Sequence, residues 1–147
     1  MNVAELAGLY FIDTNVLVYS FDDTAPEKQQ QARAIIAHAL FSQRGVISTQ
    51  VIQEFLNVAL RRFSQPMSVQ DARSYLHETL MPLCHHFPNP AFYDYALYLQ
   101  FETGFSWFDA LNVAAASAAG CTTLLSEDLQ SRRVVRGVTV VNPFAAS

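Results

Sequence analysis

Short apolar runs alternate along the chain with longer stretches in which apolar residues recur at helical spacing. That alternation predicts an α/β fold, a parallel sheet flanked by helices. Leu9-Tyr10-Phe11-Ile12 reads as a first strand, followed by a turn and a short helix from Asn15. Thr24-Ala25-Pro26-Glu27 combines a capping box with proline at the first helical position, and the helix it opens carries Ala32, Ile35, Ile36, Ala39 and Leu40 on one face. Val46-Ile47-Ser48 is a second strand running into a helix from Thr49 to about Phe63. Ser68 begins a further helix expected to stop before Pro82, and Leu83 to Phe87 is a third strand. Asn89-Pro90 starts a helix with Phe92, Tyr95, Ala96 and Leu99 at core spacing. Ser106-Trp107-Phe108-Asp109 caps an alanine-rich helix ending near Gly120, and Thr122–Leu125 and Val138–Val141 supply the last strands.

With 147 residues the chain fits one domain, residues 1–147, and no repeat or linker divides it. A composition 51% hydrophobic and only 15% charged excludes disorder and charged-tail proteins. The formal net charge of −4 does not point to an ordinary basic nucleic-acid binder. Cys84 and Cys121 are too few for a disulfide framework or zinc cluster and read as small buried hydrophobes. The first nine residues lack a cationic n-region, and no run of about 18 apolar residues exists, so the expectation is a soluble cytoplasmic protein with no membrane contact. A mean hydropathy of +0.14 is high for a monomer and implies apolar surface covered by a partner.

The chemistry collects at one edge of the expected sheet. Ligand sites in open parallel sheets lie outside the carboxyl ends of the strands. Asp13 follows the first strand, Glu54 lies early in the helix after the second, Asp109 is in the first turn of the alanine-rich helix, and Asp128 comes three residues after Leu125. Each acid also has a plain structural reading. Asp13 can cap the helix near Asn15, Asp109 can complete a capping box with Ser106, Glu54 can face solvent, and Asp128 can cap a turn. Their convergence favours a metal, because clustered carboxylates repel one another unless a cation neutralises them. Oxygen-only ligands suit Mg²⁺, with Mn²⁺ as substitute, rather than zinc; the four histidines read as surface or packing residues. A divalent ion among carboxylates suits phosphodiester hydrolysis.

The ordered segments Phe11-Ile12-Asp13-Thr14-Asn15-Val16-Leu17, Gln50-Val51-Ile52-Gln53-Glu54-Phe55, Ser106-Trp107-Phe108-Asp109-Ala110-Leu111 and Leu125-Ser126-Glu127-Asp128-Leu129-Gln130, closing with Val141-Asn142-Pro143-Phe144, resemble the motifs of PIN-domain ribonucleases across nearly the whole chain. Within that family the chain is similar to the VapC-type toxins of bacterial toxin–antitoxin pairs. The resemblance implies a PIN-like three-layer sandwich and a Mg²⁺- or Mn²⁺-dependent endoribonuclease. It further implies an RNA substrate, a homodimer and silencing by a small cognate antitoxin. Carried over residue by residue, Asp13, Glu54, Asp109 and Asp128 become the catalytic, metal-binding acids, with Asn15 orienting Asp13 and Ser126 beside the fourth acid. Arg61, Arg62, Arg132, Arg133 and Arg136 are candidates for RNA phosphates, or else a solvated surface. Ser131-Arg132-Arg133 departs from the glycine often found after the fourth motif.

Rivals of other classes fail on single residues. A phosphotransfer receiver needs a late lysine, whereas the one lysine is Lys28. A haloacid-dehalogenase-type phosphatase needs a second aspartate where Asn15 stands. The remaining alternative is a catalytically silent PIN-type module that binds RNA or a protein partner.

Overall fold

The computed structural model describes residues 1–145; the last two residues of the expected unit 1–147 lie outside the described residues. Six strands, β1 (Leu9–Ile12), β2 (Gly45–Ser48), β3 (Cys84–His86), β4 (Cys121–Leu125), β5 (Val134–Val135) and β6 (Val138–Val141), form one sheet in the order β3-β2-β1-β4-β6-β5. Every neighbouring pair is parallel except β5 with β6. The helices are α1 (Thr14–Tyr19), α2 (Pro26–Ser42), α3 (Thr49–Arg61), α4 (Val69–Tyr75), α5 (Met81–Leu83), α6 (Pro90–Thr103) and α7 (Trp107–Ala118).

The strand order fixes the layers. From β1 the chain steps outward to β2 and β3, so right-handed crossovers put α1 to α5 on one face. From β3 it returns across β1 to β4, which puts α6 and α7 on the other face. The direction of winding therefore reverses between β1 and β4, and such a switch point is where an open α/β sheet leaves a crevice. Tyr10, Phe11 and Ile12 on β1 are wholly buried, as are Leu124 and Leu125 on β4, because helices cover both faces of this parallel sheet. Val16, Leu17, Phe55 and Leu99 join the same buried cluster from the helices. Both cysteines are free and buried within it, and burial pushes the Cys121 thiol up to about 12.

Three local expectations are corrected. The helix from Ser68 does not stop before Pro82. It passes through a wide π turn at Leu76–Leu80, where the Met81 amide donates to the Leu76 carbonyl, and α5 then takes Pro82 into its own turn. Proline has no amide to give and its ring crowds the preceding turn, and the wider turn accommodates both defects. The Thr24 capping box does not form: the Thr24 amide and hydroxyl both donate to Asp22, and Ala25 precedes α2 without a side-chain cap. Strand β5 was not anticipated. It returns to β6 through Arg136 and Gly137, both at positive φ (52° and 77°), which is the backbone of a tight hairpin turn.

No helix among the described residues is long and apolar enough to cross a membrane. Gly45 opens β2 where α2 presses on the sheet, and a Cβ there would collide with the side chain of Ala39 and crowd Ile12. Gly45→Ala is expected to lower stability by about 1–3 kcal/mol through overpacking. Urea unfolding checks this, and an unchanged midpoint would mean that α2 is not held against β2.

Candidate active site

Asp13 occupies the crevice between β1 and β4. Its amide donates to the Leu125 carbonyl of β4 at 3.1 Å, which locks the residue to the strand across the switch point. Its carboxylate is 95% buried. Oδ1 accepts from the Thr14 amide at 2.7 Å and from Asn112 Nδ2 at 3.0 Å; Oδ2 accepts from the Ser126 hydroxyl at 2.7 Å. The capping role and the site role therefore coexist, since the same oxygen that caps α1 also meets α7. Burial raises the Asp13 carboxyl from 3.8 to about 6. The bonds from Ser126 and Thr14 pull it down, while the negative charges of Asp128 and Glu54 push it up.

Of the other acids, Asp128 and Glu54 lie near enough for their charges to act on Asp13. Asp128 accepts from Asn15 Nδ2 at 3.2 Å, so Asn15 orients Asp128 rather than Asp13. Ser126 does sit between the two acids, donating to Asp13 and accepting the Asp128 amide at 3.2 Å. Glu54 accepts from Gln50 Nε2 at 2.7 Å, one turn earlier on α3. Asp109 lies in the first turn of α7, where its amide donates to the Ser106 hydroxyl, which caps the helix. Three residues on, Asn112 touches Asp13, and residues three apart share a helix face, so Asp109 stands on the side of α7 turned to the crevice. Glu127 points elsewhere: it pairs with Lys28 at 2.7 Å and accepts from the Tyr19 hydroxyl at 2.8 Å.

Asn112 escaped the sequence reading. Its signal was available: it is the one amide in the apolar run Ala110–Ala116, three residues after Asp109, and it is buried. Three buried oxygens around Asp13 lack partners among the described residues, Asn112 Oδ1, Asn15 Oδ1 and Thr14 Oγ1. Buried acceptors left unpaired are costly, so their grouping is the mark of a place that takes water or a cation. Among the described residues, no three His, Cys, Asp or Glu side chains come close enough to hold a metal ion by themselves. Bare carboxylates repel, and here Glu54 and Asp128 turn instead to the amides of Gln50 and Asn15. The donor chemistry, oxygen throughout, still fits a hard divalent cation.

The arginines divide by position. Arg61 and Arg62 lie about 10 Å along α3 from Glu54, at the end away from the strand edge. Arg136 occupies the hairpin turn before β6, at the sheet edge opposite the acids, and pairs with Glu102. Arg133 lies over the Phe105 ring, 4.5 Å from its centre. Arg132 adopts φ 68°, so the loop that lacks glycine keeps a left-handed residue.

A family model described as PIN domain matches residues 10–137. No curated protein matches the chain in sequence. Three solved structures share the fold at 18% identity. FitAcB from Neisseria gonorrhoeae has a TM-score of 0.60, covering 94% of this chain and 100% of that one. VapBC2 from Rickettsia felis, bound to a DNA fragment from its promoter, has a TM-score of 0.59, covering 90% and 96%. VapC20 from Mycobacterium tuberculosis, a sarcin–ricin loop cleaving toxin, has a TM-score of 0.52, covering 81% and 91%.

The raised Asp13 carboxyl links stability to pH. Below about pH 4 it is protonated folded and unfolded and costs nothing. Between 4 and 6 the unfolded chain ionises first, and above 6 the folded protein carries the whole penalty, about 3 kcal/mol for a shift from 3.8 to about 6. Asp13→Asn can keep the three contacts without the charge. Its stability relative to the native protein, without divalent metal, should rise by about that amount between pH 4 and pH 7.5. Urea unfolding at both pH values tests this, and a difference independent of pH would contradict it.

Proposed function

This chain belongs to the PIN domain family, and on that premise we propose that it is a divalent-metal-dependent endoribonuclease, the toxin of a toxin–antitoxin pair. The observation that carries the reading is Asp13, a buried carboxylate at the switch point with two further acids acting on its charge and unpaired oxygens beside it. Mg²⁺ or Mn²⁺, when bound, would polarise the phosphate and make water a better nucleophile. Asp13, Glu54, Asp109 and Asp128 are the residues proposed to hold it. Asn112 and Ser126 keep both Asp13 oxygens aimed into the crevice, and Asn15 and Gln50 restrain Asp128 and Glu54. With several carboxylates at the reacting phosphate, one can take the proton that the attacking water loses while a second stays ionised. Arg132 and Arg133, which follow Asp128 in the same loop, are the arginines best positioned to meet RNA phosphate.

A second copy and an antitoxin are the proposed protein partners. Helix α6 carries apolar residues on its outer side as well as its buried side, with Asp94 and Glu102 between them. Phe92, Ala96 and Leu99 are buried against the core, while Leu97, Tyr98 and Phe101 stand exposed, Phe101 by 86%. A cluster of exposed leucine and aromatic side chains is costly in water, and a second copy across this face would cover it. A separate groove of about 290 Å³, lined by Phe21, Ile36, Leu40 and Tyr75, offers an apolar seat for an antitoxin segment. That fold relatives include a cleaving toxin and the VapBC2 and FitAcB assemblies supports the antitoxin proposal.

Purified protein stripped of metal should be inert on mixed RNA and cleave it once Mg²⁺ or Mn²⁺ is added. Asp13→Asn should cut kcat by about 100-fold or more, the scale on which losing one preorganised charged contributor acts. Cleavage that persists in chelator, or full activity in the variant, contradicts the reading; no cleavage with any divalent ion favours the silent module. Phe101→Glu should convert a species of twice 16.4 kDa into one of 16.4 kDa by light scattering. An unchanged mass would assign the α6 face to something other than self-association.

A further inference from the structure

Beside the acids lies a cavity of about 270 Å³, formed where α3, β3, α6 and α7 meet. A larger depression of about 630 Å³ lies over α4 and the π turn, and none of the four acids lines it. The smaller one adjoins the candidate site directly. Gln50 in its wall donates to Glu54 at 2.7 Å, and Trp107 and Phe108 in its opposite wall immediately precede Asp109. His86 and Tyr93 complete the ring-bearing walls, and Gln53 supplies a second amide.

Four features select the occupant. The lining includes no Lys, Arg, Asp or Glu, so a phosphate or carboxylate would find no countercharge there, and the guest must be uncharged. The walls combine flat rings with amide and hydroxyl groups, that is, stacking faces with donors and acceptors at the rim. Burial lowers the pKa of the His86 imidazole and so favours its neutral form, with one donor and one acceptor nitrogen, and its ring lies edge-on to Phe92 at 4.3 Å. The volume falls below the range of drug-sized pockets and suits a single ring system. We infer that this cavity receives one unpaired nucleobase of the RNA, next to the phosphate that meets the acids, and so sets where the strand is cut. The inference rests on the ribonuclease reading and adds its specificity determinant. A base within a duplex is stacked and cannot enter, so the substrate is single-stranded or looped RNA.

Trp107 is the one tryptophan of the chain and lies in the pocket wall, so its fluorescence reports occupancy without any cleavage. The probes are A, C, G and U oligoribonucleotides and an abasic ribose-phosphate oligomer of the same length, titrated in chelator. One or two of the four should quench Trp107 at least about tenfold more tightly than the abasic oligomer, the scale of one base stacked on an aromatic ring. Phe108→Ala and Gln53→Leu, both at exposed positions, should lose about that tenfold. In the metal-loaded protein the same variants should flatten base preference at one position beside the cut. Equal quenching by the abasic oligomer, or quenching that follows protein concentration because a second copy fills the pocket, overturns the inference. Base-selective quenching without metal-dependent cleavage supports the pocket and sinks the nuclease reading, so the two can fail separately.

Discussion

The burial of one carboxylate organises this molecule. Asp13 ends the central strand, and an ionised carboxylate in that position is tolerated only where donors replace the water it has lost. The donors come from three separate stretches of chain: the Thr14 amide at the start of α1, the Asn112 amide within α7 and the Ser126 hydroxyl after β4. Each bond ties one element to the switch point, so satisfying Asp13 also sets the spacing of the crevice. The compensation is incomplete, which is why its carboxyl is held at about 6. A fold optimised for stability alone would place a neutral residue there. That residual cost is the kind of strain stored where charge is to be used.

A second tether supports the same loop from outside. Lys28 pairs with Glu127 and lies over the Tyr19 ring at 4.7 Å, while Tyr19 meets Phe144 edge-on at 5.0 Å. Glu127 stands between Ser126 and Asp128, so fixing its side chain outward leaves the residues on either side free to face Asp13 and Asn15. Lys28 and Glu127 are both partly exposed, and such a pair contributes little to global stability. Its consequence is geometric: it constrains a short segment carrying two of the groups around Asp13.

The sheet was legible because parallel strands covered on both faces must be written as continuous apolar runs, and Leu9–Ile12, Val46–Ser48 and Thr122–Leu125 are such runs. The four acids were legible because they follow strands or open helices, so chain order alone assigns them to one edge. What the residues did not disclose depends on partners distant in sequence. Asn15 was read as serving its neighbour Asp13, yet an amide two residues away on a helix points where the helix turns it, and there it meets Asp128. Pro82 reads as a helix stop because local rules weigh only the lost amide; the apolar residues on both sides, Leu80 and Leu83, are buried, and keeping both inside favours a widened turn over a break. Strand β5 is two residues long and too short for any periodicity to show.

The excess of apolar residues acquires a division of labour from the same geometry. A chain that covers both faces of its sheet still leaves Leu97, Tyr98 and Phe101 on the outer side of α6, while the rings at the start of α7 line an open cavity beside the acids. The two surfaces differ in what they can accept. The α6 face presents a leucine and two rings and suits another apolar surface. The cavity is edged by Gln50 and Gln53 and by the Ser48 and Thr49 hydroxyl groups, polar groups that a purely apolar guest would leave unused. On the proposed reading, negative net charge is then no obstacle to an RNA substrate, because a base would be gripped by stacking and neutral hydrogen bonds while the repulsion among carboxylates and phosphate would be left to a cation.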